Sequence, residues 1–389
     1  MFRVSLHHGN IHFYYESPVK KKQRVYIMND MAIVLNTDGR RTHARHKATV
    51  SRIDDLSRKH HRDKGFTLVH ISDPHLSRQF YREHFKSFKI LLRSILEEGC
   101  DHLLITGDIV STPNIDDFYL VREILAKHHM LSADRLTVVP GNHDIFGGPH
   151  RATDVLSFPQ YIRNVDYKRH LALFLETFEE TFESAEQVLH GEQFPFVKRV
   201  GPFAIIGLNS IPPWSLRKNP IGSNGMLNEE QFEGLRALID SPLLKNAVPI
   251  VAIHHHFTDF AKDGSTSHSI WEKIESQTMR MRKRRKIIKL FNELNVEYVL
   301  HGHVHKNEIY EKSGIAFSNG AGAVCDDPIR LLKYNTLTHQ NGQGGKCRLS
   351  TRTLPVPYQT AISPLKFFRK PSKIHKLEIT ATAANGDIR

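Results

Sequence analysis

Five times along this chain, a short run of aliphatic and β-branched residues stops at a cluster of Asp, Asn or His. Phe66-Thr67-Leu68-Val69-His70-Ile71 runs into Asp73 and His75, and His102-Leu103-Leu104-Ile105-Thr106 into Gly107-Asp108. Leu136–Val139 runs into Gly141-Asn142-His143-Asp144, Val248–Ile253 into His254-His255-His256, and Val296–Leu300 into His301-Gly302-His303-Val304-His305. Runs of this length, bounded by Gly, Pro and Asp, read as buried strands. A single Asp or His after a strand is most often a turn or cap residue. Five clusters at the same place in successive strands exceed what turn chemistry needs. In open α/β sheets, ligands bind at the carboxyl ends of strands, and these side chains are metal donors.

The donors are carboxylate, carboxamide and imidazole, with no thiolate. That mix suits Mn²⁺, Fe²⁺/Fe³⁺, Zn²⁺ or Co²⁺, whereas Ca²⁺ and Mg²⁺ prefer more oxygen. The set is too large for one ion with an open position. It suits two ions sharing a bridging carboxylate, about 3.5–4 Å apart, which clamp the attacking and leaving oxygens of a displacement at phosphorus.

Between these strands the pattern turns helical. Residues 80–98 carry Phe85, Phe88, Ile90, Leu91, Ile95 and Leu96 on or near one face, and residues 116–130 form a second amphipathic stretch. Strand, helix, strand, helix, strand predicts a sheet covered by helices on both faces. Residues 146–192 read as a helical insertion. Within it, Tyr167–Val188 is predicted as one long helix with Leu171, Phe174, Leu175, Phe178 and Phe182 on a core-facing stripe. Phe194–Val200 and Phe203–Asn209 read as a hairpin turning at Gly201-Pro202. Leu227–Ile239 reads as a helix capped by Asn228, and Ser269–Leu294 as a helix carrying the basic run Arg280–Lys286. Residues 326–389 read as a C-terminal extension with a few edge strands and a basic tail.

Charge separates the ends from the middle. The chain has a formal net charge of +13. Residues 1–65 hold 14 Lys/Arg against 6 Asp/Glu, so +8 of that excess sits in a basic N-terminal extension. The remainder is nearer neutral, which makes global charge a weak argument for nucleic acid. An anionic-membrane contact through the basic ends is a second reading. Three widely spaced cysteines, Cys100, Cys325 and Cys347, form neither a zinc-ribbon pattern nor a disulfide framework, and a reducing, cytoplasmic setting is expected. No run of 18 apolar residues predicts a transmembrane helix. The first sixteen residues lack a continuous apolar signal core.

Asp73-x-His75, Gly107-Asp108, Gly141-Asn142-His143-Asp144, His254 and Gly302-His303-x-His305 together resemble the signature of the calcineurin-like metallophosphoesterases, in order and spacing over residues 66–320. The resemblance implies an α/β fold with a two-sheet β-sandwich core flanked by helices, a four-layer αββα arrangement, over residues 66–325. This replaces a plain doubly wound sheet. It implies Asp73, His75 and His305 around a first metal, Asn142, His254 and His303 around a second, and Asp108 bridging them. The cofactors would be two divalent or trivalent ions, Mn, Fe or Zn. His143 would sit beside the substrate phosphate as acid or charge stabiliser, with Asp144 orienting its ring. A hydroxide bridging the metals would be the nucleophile.

The fourth cluster departs from the His-His-Pro-Pro of many family phosphodiesterases. Here it is His254-His255-His256-Phe257, so His255 is an alternative ligand and the loop geometry is open. The pattern is most similar to the class III cyclic-nucleotide and glycerophosphodiester phosphodiesterases. The expected function is therefore hydrolysis of a small nucleotide or glycerol-type phosphodiester, or of a phosphomonoester. Alternatives in the same superfamily are a nuclease and a lipid-linked pyrophosphate hydrolase. A non-catalytic scaffold typically loses ligands or the substrate-side His, and this chain keeps all of them.

Overall fold

In a computed structural model, residues 65–150, 152–258, 279, 281–305, 308–324, 331–340 and 346–355 are described, together with five strands outside those ranges. The chain divides into two units, Met1–Asp63 and Lys64–Arg389. The first contains two antiparallel hairpins: β1 (Phe2–His7) with β2 (Asn10–Tyr15), and β3 (Arg24–Met28) with β4 (Met31–Leu35). The rest of the basic extension, including Arg40–Lys64, lies outside the described residues.

The second unit holds two mixed sheets. In the six-stranded sheet, β5 (Phe66–Ile71), β6 (His102–Thr106) and β7 (Leu136–Val139) run parallel. The seven-stranded sheet has a parallel centre of β10 (Phe203–Gly207), β11 (Val248–Ala252), β12 (Tyr298–His301) and β14 (Ile315–Asn319). Antiparallel strands complete it: β8 (Ala185–Gln187) and β9 (Phe196–Val200) at one edge and β13 (Glu308–Lys312) at the other.

Period-two alternation sorts the strand residues into three cores. Leu68, Leu104 and Val139 face Ile205, Ile250, Ala252 and Leu300 between the sheets. Val69, Ile71, Ile105 and Val138 face outward onto α1 (Arg82–Glu98) and α2 (Ile115–Lys127). Val251 and Val299 face the opposite helical layer, α6 (Glu229–Ala237) and α7 (Arg284–Glu293). Helix α1 buries Phe85, Phe88, Leu91, Leu92 and Ile95 on one stripe and stops at Gly99, whose φ of 94° is left-handed and favours glycine. Asn114 and Asn228 cap α2 and α6, each accepting a backbone N–H. The layers are the expected αββα sandwich.

Three expectations are corrected. Tyr167–Val188 is not one helix: α5 (Tyr167–Thr177) gives way to a 3₁₀ turn at Glu179–Phe182 and then to β8. The apolar stripe misleads because Phe174 and Phe178 are both core residues on either side of the helix end. The described part of the predicted Ser269–Leu294 helix begins only at Arg284. Met281 forms a bridge with Gly225, and Lys283 has a φ of 56° that breaks any helix running through it. Finally, β15 (Leu331–His339) is no edge strand: it is hydrogen-bonded to β5 on one side and β16 (Cys347–Pro355) on the other. A two-residue strand, β17 (Ile379–Thr380), pairs with β16. The insertion also contains α4 (Ala152–Arg163), which follows the one-turn helix α3 (Asn142–Ile145). Cys100 and Cys347 are free and buried, while Cys325 lies outside the described residues.

Candidate active site

The carboxyl ends of the parallel strands of both sheets meet at one pole, and the strand-end donors converge there. One group is Asp73, His75 and His305. His75 Nε2 lies 2.9 Å from His305 Nε2, and both stand near Asp73 Oδ1, at 3.9 and 3.8 Å. A second group is Asp108, His254 and His303. His254 Nε2 lies 3.4 Å from Asp108 Oδ2 and 3.1 Å from His303 Nδ1, with Asn142 Oδ1 also at 3.1 Å. Asp108 Oδ2 is 3.8 Å from His75 Nε2, so its carboxylate touches both groups. Two imidazole nitrogens 2.9 Å apart can share at most one proton. Converging lone pairs of this kind are an arrangement that a cation resolves. The donor set therefore fits two ions, with Asp73, His75 and His305 at one, Asn142, His254 and His303 at the other, and Asp108 between.

The backbone is bent to build this. Ten non-glycine residues among those described have positive φ, and four are donors: Asp73 (54°), His75 (45°), Asp108 (49°) and His303 (75°). Left-handed backbone costs such residues on the order of 1–3 kcal/mol each, and it persists where surrounding structure over-determines it. Gly141 is required for space, because a β-carbon there would overlap the Asp108 carboxylate.

Electrostatics favour positive charge at the centre. Burial works against a charged His254, yet Asp108 and Asp73 beside it lift its pKa to about 9. Burial likewise opposes an ionised Asp108, but His254 and His143 hold its carboxyl well below the usual range. Burial keeps His75 and His303 neutral, and their neighbours His143 and His255 add to the effect. Neutral imidazoles offer lone pairs, and a metal ion would supply the charge that the His254 proton supplies here. His254 Nδ1 donates to the Thr106 carbonyl at 2.8 Å, which fixes Nε2 as the coordinating atom.

His143 stands beside this cluster with its ring edge-to-face on His75, centroids 4.5 Å apart. Its backbone N–H donates to Asp108 Oδ1 at 2.7 Å. His75, Asp108 and His143 also lie close enough to form a metal-competent triad, so geometry alone admits His143 as a donor. The role expected for Asp144 is corrected. Its carboxylate accepts the N–H groups of Gly141 (2.8 Å) and Val110 (3.0 Å), and so holds the turn rather than the His143 ring. Burial and the nearby Asp108 raise Asp144 to about 8. The ring is held instead by the Ser111 carbonyl, 3.1 Å from His143 Nδ1. A carbonyl only accepts, so Nδ1 carries the hydrogen and Nε2 is left to take or give a proton.

His255 spends both ring nitrogens outside the donor set, on Ser210 Oγ (2.8 Å) and the Ser223 carbonyl (3.1 Å). His150, which the sequence did not single out, stacks on Phe80 at 3.9 Å and approaches the His143 ring at 6.5 Å. It arrives from a loop with no strand before it, so strand-end spacing carries no signal for it.

Two helix-covered sheets whose parallel strands deliver their donors to one pole form the metallophosphoesterase architecture. A family model for calcineurin-like phosphoesterases matches residues 66–307, more than half of the chain, and the chain belongs to that family of metal-dependent phosphoester hydrolases. Among solved structures it is similar to a dimetal phosphatase from Danio rerio, at 12 % identity and a TM-score of 0.51, over 75 % of this chain and 99 % of that one. It is also similar to a purple acid phosphatase from yellow lupin (Lupinus luteus) seeds, at 14 % identity and a TM-score of 0.46, over 77 % of this chain and 58 % of that one. Likeness at this identity speaks to the fold. No curated protein matches the chain. Among the described residues, no helix is long and apolar enough to cross a membrane.

Proposed function

We propose that the chain hydrolyses small phosphodiesters, of nucleotide or glycerol type, with two Mn, Fe or Zn ions held as assigned above. The observation that carries this reading is the Asp108 carboxylate shared by two donor groups, with His143 poised beside one of them. Bound ions would supply Lewis acidity and a water acidified toward neutral pH. The protein's own part is positioning. Asp108 fixes the His143 backbone, Ser111 fixes its ring through Nδ1, and Nε2 is then the nitrogen available to stabilise phosphoryl charge or protonate the leaving oxygen.

A nuclease is less favoured because the basic run is largely spent on the protein itself. Arg282 donates to the carbonyls of Arg217 and Lys218, and Arg284 to those of Phe257 and Thr258. Lys283 pairs with Glu229, and Lys286 sits 4.2 Å over the Phe232 ring. A cytoplasmic location remains part of the proposal, resting on cysteine usage.

Hydrolysis of bis(p-nitrophenyl) phosphate, with Mn²⁺ and with chelator, tests the reading, followed by a panel of cyclic nucleotides, glycerophosphodiesters, phosphomonoesters and single-stranded DNA. No metal-dependent turnover on any of them would sink it. His143→Ala should keep both ions and lower kcat by about 10²–10⁴-fold, the usual scale for a positioned acid or base. If that variant loses metal, His143 is a donor instead.

A further inference from the structure

The two histidines assigned to the second ion are held differently. His254 donates its remote nitrogen to the Thr106 carbonyl, the usual support for a metal-binding imidazole. His303 lacks that support: its Nδ1 faces His254, and its buried Nε2 makes no hydrogen bond among the described residues. What fixes the His303 ring is packing against other rings, and the nearest is His255, with centroids 4.3 Å apart at 46°.

His255 is itself fully buried and fully committed. The Ser223 carbonyl only accepts, so His255 Nε2 carries the hydrogen. Nδ1 is then an acceptor, and Ser210 Oγ, 2.8 Å away, donates to it. The same hydroxyl accepts the His255 backbone N–H at 3.3 Å, which closes the circuit. Both serines belong to the segment that leaves β10 and returns at Gly225. There the backbone lies so close that a β-carbon would come within 2.5 Å of His255 Cγ and 2.8 Å of Met281 Sδ.

We infer that His255 is neither metal ligand nor substrate contact but a positioning residue, a strut through which the 210–225 segment sets the His303 ring for the second ion. The inference rests on the two-ion reading. It gives His255 a task that its sequence position, beside His254, does not announce.

Calorimetric titration of Mn²⁺ into the metal-stripped full chain separates the outcomes, with apo-protein circular dichroism as the folding control. Wild type should bind two equivalents. Fewer than two would overturn the two-ion reading and this inference with it. His255→Ala should still bind two, with one class weakened about 10–100-fold, the usual effect of losing an outer support, and the other class unchanged. His255→Gln, which can still donate to the Ser223 carbonyl, should recover part of the loss. Gly225→Ala should reproduce the selective weakening from the loop side without touching any nitrogen. Loss of a whole equivalent in His255→Ala would make His255 a ligand. An unchanged isotherm in both His255→Ala and Gly225→Ala would make the contact mere packing. Either result overturns the assignment.

Discussion

The two sheets bring different chemistry to the pole where they meet. Every oxygen donor, Asp73, Asp108 and Asn142, follows a strand of the six-stranded sheet. The seven-stranded sheet contributes imidazoles only: His254, His303 and His305. His75 alone crosses this division. Neither sheet holds a complete donor set, so an ion bound here is a bond between layers as well as a cofactor. Metal binding should stabilise the docked sandwich by mass action, by about 2.7 kcal/mol at a hundredfold excess over Kd. The comparison also separates the two ions. The donors from Asp108, His254 and His303 are all buried, whereas the His305 side chain is 51 % exposed.

The division breaks most completely at Asp108. Its carboxylate lies within 4 Å of a ring nitrogen in each group, so Asp108→Ala should release both ions and abolish turnover. Bound metal after gel filtration, measured by mass spectrometry, checks this. Retention of one ion would mean that the six-stranded sheet does not supply a shared ligand.

A smaller and asymmetric effect is expected on the other sheet. His303→Ala removes a donor from a closed pocket that water enters poorly, and bound Mn²⁺ should fall from two ions to one. His305→Ala opens a position already facing solvent, where water can replace the imidazole. Two ions should remain, one weakened about 10–100-fold, or about 1.4–2.8 kcal/mol. Equal losses in the two variants would remove the distinction between a closed and an open ion.

How much of this was readable beforehand follows the same physical line. Each donor sits within a few residues of a buried strand's end, so hydrophobic runs and polar stops revealed the set before any fold was known. Spacing cannot say which N–H a carboxylate will take, and Asp144 went to Gly141 and Val110 rather than to the ring beside it. The support of His143 by Ser111 is a backbone carbonyl contact, which no side-chain pattern displays. Strand β15 looked peripheral because residues 326–389 turn rich in Thr, Pro and Lys. Yet both of its faces are buried: Leu332 and Tyr334 pack toward the helices, and Leu337 packs between the sheets. Asn335, on the same face as Leu337, is fully enclosed and donates to Ser318 Oγ and the Asn319 carbonyl. Composition averages over a segment and does not report the environment of each strand face.

The smallest expected effect concerns what joins the layers far from the donors. Lys198, on β9 of the seven-stranded sheet, is fully buried, and its Nζ donates to the Leu136 carbonyl at the start of β7 in the other sheet and to the Thr181 carbonyl, both at 2.6 Å. Burial pushes its pKa down from 10.5 to about 7. Between those values the unfolded chain binds the proton and the folded chain does not, so stability rises with pH across that window. Below about 7 both states are protonated and the full cost of the buried charge is present. Lys198→Met removes the group, so the stability difference between wild type and variant should shift in favour of wild type from pH 7 to pH 9. The expected shift is on the order of 2 kcal/mol, since each unit is worth about 1.4 kcal/mol. Denaturant midpoints at the two pH values measure it. A difference that does not move with pH would mean that the two carbonyls keep Lys198 charged throughout, and that the strut between the sheets is an ammonium rather than a neutral amine.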